Sequence, residues 1–226
     1  MCGRFTITLE PAFFQQEFQL GNMPSEWRPR YNVAPSQAVP AVLENENRDV
    51  HLLRWGLVPF WAKDLSIGMR MINARSETLQ EKPSFRAAFR QRRCLILADG
   101  FFEWQKPESK SAPKSPYRFS LKDNRPFTFA GLWESWTSPE KEEIRSCTII
   151  TCPPNELVER FHNRMPVILD KRTCRDWLRD RPPAALAEML QPFPAEEMQA
   201  YPVSTLVNNP RLDDPRLIQP LETGGI

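Results

Sequence analysis

"RCLILADGFFEWQ", Arg93–Gln105, reads as two strands with a break between them. The first, "RCLILAD", is a short apolar run of the kind a buried strand shows. It ends at Asp99-Gly100, a turn signal, and the chain returns as a second strand, "FFEWQ". Alternation there puts Phe102 and Trp104 on one face and Phe101, Glu103 and Gln105 on the other. Glu103 is thus a carboxylate among large apolar side chains. Burial raises a carboxyl pKa toward neutrality, which suits general acid–base work. A structural pairing with an arginine is the alternative.

The pattern continues outward from this pair. "YRFSL", "FTFAGLW" and "IRSCTIIT" read as further strands, set apart by the polar loop "KPESKSAPKS" and by "KDNRP". Upstream, "AVPAVLE" and "VHLLRWG" are strands joined by the turn "NENR", and "MQAYPVS" is a last strand. Short helices are expected in "LEPAFFQQEF", with Thr8 as cap and Pro11 in the first turn, and in "SFRAAFRQ", with Ser84 as cap. "PNELVERF", "KRTCRDWLRD" and "PAALAEML" are expected to be helical as well. "RPRYNVAPSQ" reads as an extended, Pro-broken loop. The expected fold class is α+β, a mainly antiparallel curled sheet or barrel-like core with a few short flanking helices. Residues 2–209 form one domain in this reading, and 210–226 an irregular C-terminal tail. No alternating βαβ pattern, GxGxxG or Walker loop is present, which disfavours a nucleotide-binding fold.

At 226 residues, 41% of them hydrophobic, the chain is long enough for a sizeable core. No apolar run approaches the roughly 18–20 residues of a membrane span. The start, "MCGRFTITLEP", reads as mature protein rather than a signal peptide. The five cysteines, Cys2, Cys94, Cys147, Cys152 and Cys174, form no CxxC pair, which points to a reducing, cytoplasmic setting. The two histidines, His51 and His162, have no zinc-ligand spacing, so neither metal nor cofactor is expected. His51 is read as structural. A net charge of +2 does not by itself predict nucleic acid. Yet 22 of the 30 basic residues are Arg, whose planar fork pairs with phosphate and carboxylate alike. The clusters "RPR" (Arg28, Arg30) and "FRAAFRQRR" (Arg86, Arg90, Arg92, Arg93) fit a phosphate surface or internal ion pairs equally.

Several residues carry chemistry. Cys2 becomes the first residue when Met1 is removed, and its amine and thiol then form a 1,2-aminothiol. The amine titrates near ~8 and the thiol near ~8.5 when unperturbed. The amine condenses with an aldehyde to an imine, and the thiol closes a thiazolidine ring on it. His162, in "RFHNRMP", sits in a loop and titrates near neutrality, with Arg164 close behind to meet a phosphate or a carboxylate. In "MINARSET", alternation points Asn73 and Arg75 to one side. In "WGLVPFWA", Trp55 reads as core, while Phe60 and Trp61 are stacking platforms or wedges if exposed.

Taken in order, "MCGRF", "RYNVAPSQ", "WGLVPFW", "INARSET", "RRCLILADGFFEW", "FAGLWE", "TIITCPPN" and "HNRMPVIL" resemble the SRAP family, the abasic-site processing proteins, and "YPVSTLVNN" extends the match to about residue 209. The resemblance implies an SRAP-like fold and binding of single-stranded DNA that contains an abasic site. It implies a thiazolidine crosslink from Cys2 to the ring-opened sugar, which shields the lesion. By the same resemblance Asn73 positions the cysteine or the sugar, Glu103 handles protons, and His162 acts on the sugar oxygen. Arg4, Arg75 and Arg164 would bind phosphates, while Pro35, Phe60 and Trp61 would pack against bases. A weak lyase activity and a peptidase-like self-removal of Met1 are further implications. The protein would act as a monomer without cofactor, in the cytoplasm, and on the nucleoid when bound to DNA.

Two rivals remain at this level. Amidohydrolases with an N-terminal cysteine nucleophile also begin Met-Cys-Gly, and would be inhibited by a glutamine-mimicking thiol reagent. A noncatalytic DNA-binding module would keep its function after Cys2→Ala.

Overall fold

Five strands close on themselves around the main core. In ring order they are β3 (Ala38–Leu43), β4 (Val50–Trp55), β10 (Glu143–Cys152), β9 (Phe127–Thr137) and β6 (Arg93–Ala98), which returns to β3. Each neighbouring pair is antiparallel except β4 with β10, which run parallel at Arg54–Trp55. This computed structural model describes residues 2–43, 47–106 and 113–221. The short strands β11 (Met165–Pro166) and β12 (Ile168–Leu169) pair with β10 and β9. A second, antiparallel sheet has the order β13 (Met198–Pro202), β8 (Ser115–Leu121), β7 (Gly100–Gln105), β1 (Phe5–Ile7), β2 (Arg30–Val33). Among the described residues, four α-helices of eight residues or fewer flank the sheets: α1 (Pro11–Phe18), α2 (Arg86–Gln91), α3 (Cys174–Leu178) and α4 (Pro183–Glu188). The α+β, barrel-like expectation describes this fold.

Asp99-Gly100 does not make a hairpin. β6 belongs to the barrel and β7 to the second sheet, where it pairs with β1 and β8. The dipeptide is a corner where one run of chain changes sheets. Glycine is required there by space, since a Cβ on Gly100 would lie 2.7 Å from Thr6 Oγ1 and 2.9 Å from the Arg118 guanidinium carbon. The alternation in β7 holds. Phe101 stacks on Phe119 in the main core at 4.9 Å, while Phe102 packs with Val203, Val207 and Leu217 on the other side.

β4 and β5 (Asn73–Arg75) lie one after the other along β10, β5 also parallel to it. The chain leaves that line at Gly56 and rejoins it at residue 73. Gly56 has φ +122°, and a Cβ there would lie 2.7 Å from the Gly68 carbonyl oxygen, so only glycine fits. The excursion carries Phe60 and Trp61. Trp136 Nε1 donates to the Ala62 carbonyl (2.8 Å) and fastens that turn to β9. Trp55 is fully buried against Phe5, as expected of a core residue.

Local expectations fare unevenly. The predicted helix "PNELVERF" is a run of hydrogen-bonded turns, opened by Asn155 Oδ1 accepting from Val158 N (2.9 Å). A segment so short has little helical stability of its own, even with the Asn155 side chain capping its first turn. Thr8 does not cap α1, because its amide and hydroxyl both bond to Asp99. Ser84 does not cap α2, which starts from Phe85 without a side-chain cap. "RYNV", read as loop, is strand β2, held between β1 and the Asp213 carboxylate, which accepts from the Tyr31 and Asn32 amides. Of the "NENR" turn, residues 45 and 46 lie outside the described residues, as does most of the "KPESKSAPKS" loop. The chain after 209 carries one 3-10 turn, Pro215–Ile218, which buries Leu217. The arginine clusters divide, with Arg28, Arg86 and Arg90 exposed and the others engaged within the chain. Arg93 is buried and donates to carbonyls at the ends of α2 and α3, Arg92 pairs with Glu134, and Arg30 pairs with Asp213.

Candidate active site

The position of Cys2 follows from how β1 is tied down. The buried Asp99 carboxylate accepts from Thr6 Oγ1 (2.6 Å), Thr8 Oγ1 (2.8 Å), Leu9 N (2.9 Å) and Thr8 N, and faces Arg118 at 3.4 Å. Phe102 N donates to the Arg4 carbonyl (2.9 Å), so the β1–β7 pairing reaches within two residues of Cys2. Asn73 Nδ2 then donates to the Cys2 carbonyl oxygen (2.9 Å). Cys2 is fully buried. Burial pushes its thiol far above the ordinary value, and the nearby Glu103 charge adds to the rise.

Glu103 is 4% exposed, on the face of β7 that alternation assigned to it. Burial raises its carboxyl above the usual range, and the amino-terminal charge opposes that rise. It is therefore poised to hold a proton nearer to neutral pH.

His162 arrives from another part of the chain. Phe161 packs on Tyr117 (4.7 Å) and Phe119 (5.0 Å), and so fixes the loop above β8. Tyr117 is the cross-strand partner of Glu103, which brings His162 and Glu103 to one place. The Arg164 amide donates to His162 Nδ1 (3.0 Å). In the neutral ring the proton is therefore on Nε2. Burial lowers the imidazole below its ordinary value, and the positive charges of the amino terminus, Lys106 and Lys114 act in the same direction. A pocket of about 380 Å³ is lined by Glu103, Trp104, Lys106, Lys114, Phe161, His162 and Asn163. Its volume is more than enough to admit one sugar.

The other expected residues divide into two sets. Arg75 is exposed, as are Phe60 (68%) and Trp61 (48%), and Pro35 is half-buried in a turn beside the end of β4. Arg4 and Arg164 are engaged within the chain. Arg4 Nη1 donates to Asn32 Oδ1 and to the Val207 carbonyl, both at 2.7 Å. Arg164 forms a two-point ion pair with Glu77. Sequence reasoning missed Lys106 and Lys114. They flank the β7–β8 connection, and pairing Gln105 with Ser115 in one hairpin would have put them at the pocket rim. Among the described residues no His/Cys/Asp/Glu group is arranged to hold a metal ion, and all five cysteines are free. No helix among them is long and apolar enough to cross a membrane.

Comparison with known proteins places the chain in a family. Residues 1–210 match the family model "SOS response associated peptidase (SRAP)". The chain is 46% identical over 224 residues to the abasic site processing protein YoqW of Bacillus subtilis, covering 97% of this chain and 99% of that one. It is 32% identical to the abasic site processing protein HMCES of Xenopus tropicalis, covering 95% of this chain and 77% of the relative. A crystal structure of a Bacteroides thetaiotaomicron protein superposes with a TM-score of 0.87 at 28% identity, covering 97% of this chain and all of that one. A Bordetella bronchiseptica protein superposes with a TM-score of 0.79 at 25% identity, over 90% of this chain and all of that one. With its family model spanning nearly the whole chain and its fold shared with these structures, the protein belongs to the SRAP family.

Proposed function

We propose that this protein processes abasic sites in single-stranded DNA by linking Cys2 covalently to the lesion. One observation carries the reading. Cys2, Asn73, Glu103 and His162 come from four distant parts of the chain and converge. Asn73 holds the Cys2 carbonyl, the Glu103 charge acts on the Cys2 thiol, and Glu103 and His162 line one pocket. The names of the relatives, matched over almost the full chain, support DNA with an abasic site as the substrate.

The chemistry balances with these groups and water. An abasic sugar is a hemiacetal in equilibrium with its open aldehyde. His162, neutral with its proton on Nε2, hydrogen-bonds to the ring oxygen, and as the C–O bond breaks the anomeric hydroxyl proton passes to that oxygen by way of water, leaving the aldehyde and a free hydroxyl. Once Met1 is gone, the Cys2 amine adds to the aldehyde carbon, and loss of one water gives the imine. Glu103, protonated nearer to neutral pH than an ordinary carboxyl, supplies the proton for the departing hydroxyl. The thiol then adds across the C=N bond. A C–S bond forms, the thiol proton goes to nitrogen by way of the Glu103 carboxylate, and the thiazolidine is complete. The imine is also the point from which β-elimination would cut the strand, so a weak lyase activity belongs to the same reading. Self-removal of Met1 by the same groups is the peptidase-like part of it.

DNA would lie across the pocket mouth. Lys106, Lys114 and the exposed Arg75 contribute charge without sequence preference, and Phe60, Trp61 and Pro35 offer surfaces to bases. Arg4 and Arg164 would reach a phosphate only through donors that their internal partners leave.

The test is intact mass of untagged protein incubated with an oligonucleotide bearing one abasic site. The expected product is protein minus Met1 plus DNA minus one water, absent with Cys2→Ala. No adduct from protein that has lost Met1 would overturn the reading. Inactivation by a glutamine-mimicking thiol reagent would then favour the amidohydrolase.

A further inference from the structure

Arg164 acts at the pocket edge through two parts of itself. Its amide holds His162 Nδ1, and its guanidinium is clamped on the far side. Nη1 donates to Glu77 Oε1, Nη2 to Glu77 Oε2 (2.9 Å), and Nη2 also to the Thr151 carbonyl (2.5 Å). The Arg164 side chain is 12% exposed and that of Glu77 48%. Glu77 sits in the 3-10 turn Ser76–Thr78, which continues directly from β5, the strand of Asn73. β5 in turn lies parallel to β10, with Arg75 opposite Thr151. One ion pair thus ties the strand that holds Cys2 to the loop that presents His162.

We propose that Glu77 is a positioning residue, which clamps Arg164 and so fixes the direction in which His162 presents Nε2 to the substrate. The inference rests on the abasic-site reading. A carboxylate facing a guanidinium at two points permits one relative orientation, which a single contact does not. Without Glu77, Arg164 keeps only Thr151, and its backbone, with the His162 contact, is freed to shift. A rival role for Glu77 is to screen Arg164 from a phosphate. The geometry favours the clamp, because both Nη2 hydrogens are engaged and the guanidinium is mostly buried.

The two roles predict opposite results for Glu77→Gln, which keeps the shape and removes the charge. Three quantities are measured. They are the crosslinking rate at saturating single-stranded abasic oligonucleotide, the Kd for the same oligonucleotide without the lesion, and the ¹⁵N NMR signals of the His162 ring in DNA-free protein. A clamp predicts a rate lowered roughly ten- to a hundredfold, a Kd changed less than about twofold, and a His162 ring that loses its fixed Nε2–H signature. Tighter binding of the undamaged strand at an unchanged saturated rate would overturn the proposal, as would an unaltered His162 signature. If wild-type protein forms no crosslink, the abasic-site reading fails, while the NMR signature still decides whether Glu77 orients His162.

Discussion

In the barrel, all six residues of β6 are buried, and all but Arg93 are apolar. The strand is held by its ladders to β3 and β9 and by hydrocarbon on hydrocarbon. In the five-stranded sheet, the three-residue strand β1 buries Phe5 and Ile7 in the same core but adds contacts of another kind. It is held by a buried carboxylate, Asp99, with four donors and Arg118 around it, and beyond it by Arg4 on Asn32 and Val207. Apolar packing is non-directional, and it tolerates small shifts. Hydrogen bonds to a buried charge have fixed directions. The part of the molecule that must aim Cys2 is the part built from directional contacts, and the barrel supplies the stability that lets it be so.

The sharpest test of this contrast pairs two substitutions of similar cost. Asp99→Asn converts an acceptor into a donor amid donors and strands Arg118, for a loss of about 3–5 kcal/mol. Leu95→Ala empties a site in β6, for a loss of about 2–5 kcal/mol. Urea unfolding should show both losses. Crosslinking per folded molecule should fall only for Asp99→Asn. An equal fall for Leu95→Ala would break the contrast.

Glu103 gives a second, smaller effect on stability, dependent on pH. Its folded-state pKa lies above its unfolded value. The stability it contributes is therefore full below the unfolded pKa and is lost as pH rises through the folded one. Glu103→Gln lacks that dependence. Wild type should lose ground to the variant with rising pH, so that at neutral pH Glu103→Gln is at least as stable while crosslinking roughly 10²- to 10⁴-fold more slowly. Urea midpoints over a pH series check the sign. A wild type that gains on the variant as pH rises would show that Glu103 is paired rather than merely buried.

The smallest expected effect lies at the edge of the barrel. Trp136→Phe removes one hydrogen bond to the Ala62 carbonyl, about 0.5–1.5 kcal/mol. It should loosen the Phe60–Trp61 turn and weaken single-stranded DNA binding about two- to threefold, with the crosslinking rate at saturation unchanged. Fluorescence anisotropy with an undamaged oligonucleotide reads this directly.

Much of this was legible from local pattern. Alternation in "FFEWQ" placed Glu103 on the face of Phe101, and apolar runs located the barrel strands. What stayed hidden depended on pairing across long distances. Asp99-Gly100 looks the same in sequence whether it turns a hairpin or crosses between sheets, because the choice is made by Thr6 and Arg118, far away in the chain. "PNELVERF" has helical composition, yet Asn155 and the docking of Phe161 set its shape. The candidate site residues were visible as motifs. The engagement of Arg4 and Arg164 was not, since an arginine's partner leaves no trace in its own neighbourhood.

All five cysteines are buried, Cys2 among them. Water-soluble alkylating reagents and oxidants react with the thiolate, and they need access to it. Cys94, Cys147, Cys152 and Cys174 should therefore be nearly inert to them in the folded protein, and the rate at which these four thiols become reactive would be a clock for opening of the fold. Cys2 stands apart, because losing Met1 opens it to whatever enters the pocket. Its reaction rate with a small reagent would report removal of Met1, and the other four would report the integrity of the fold.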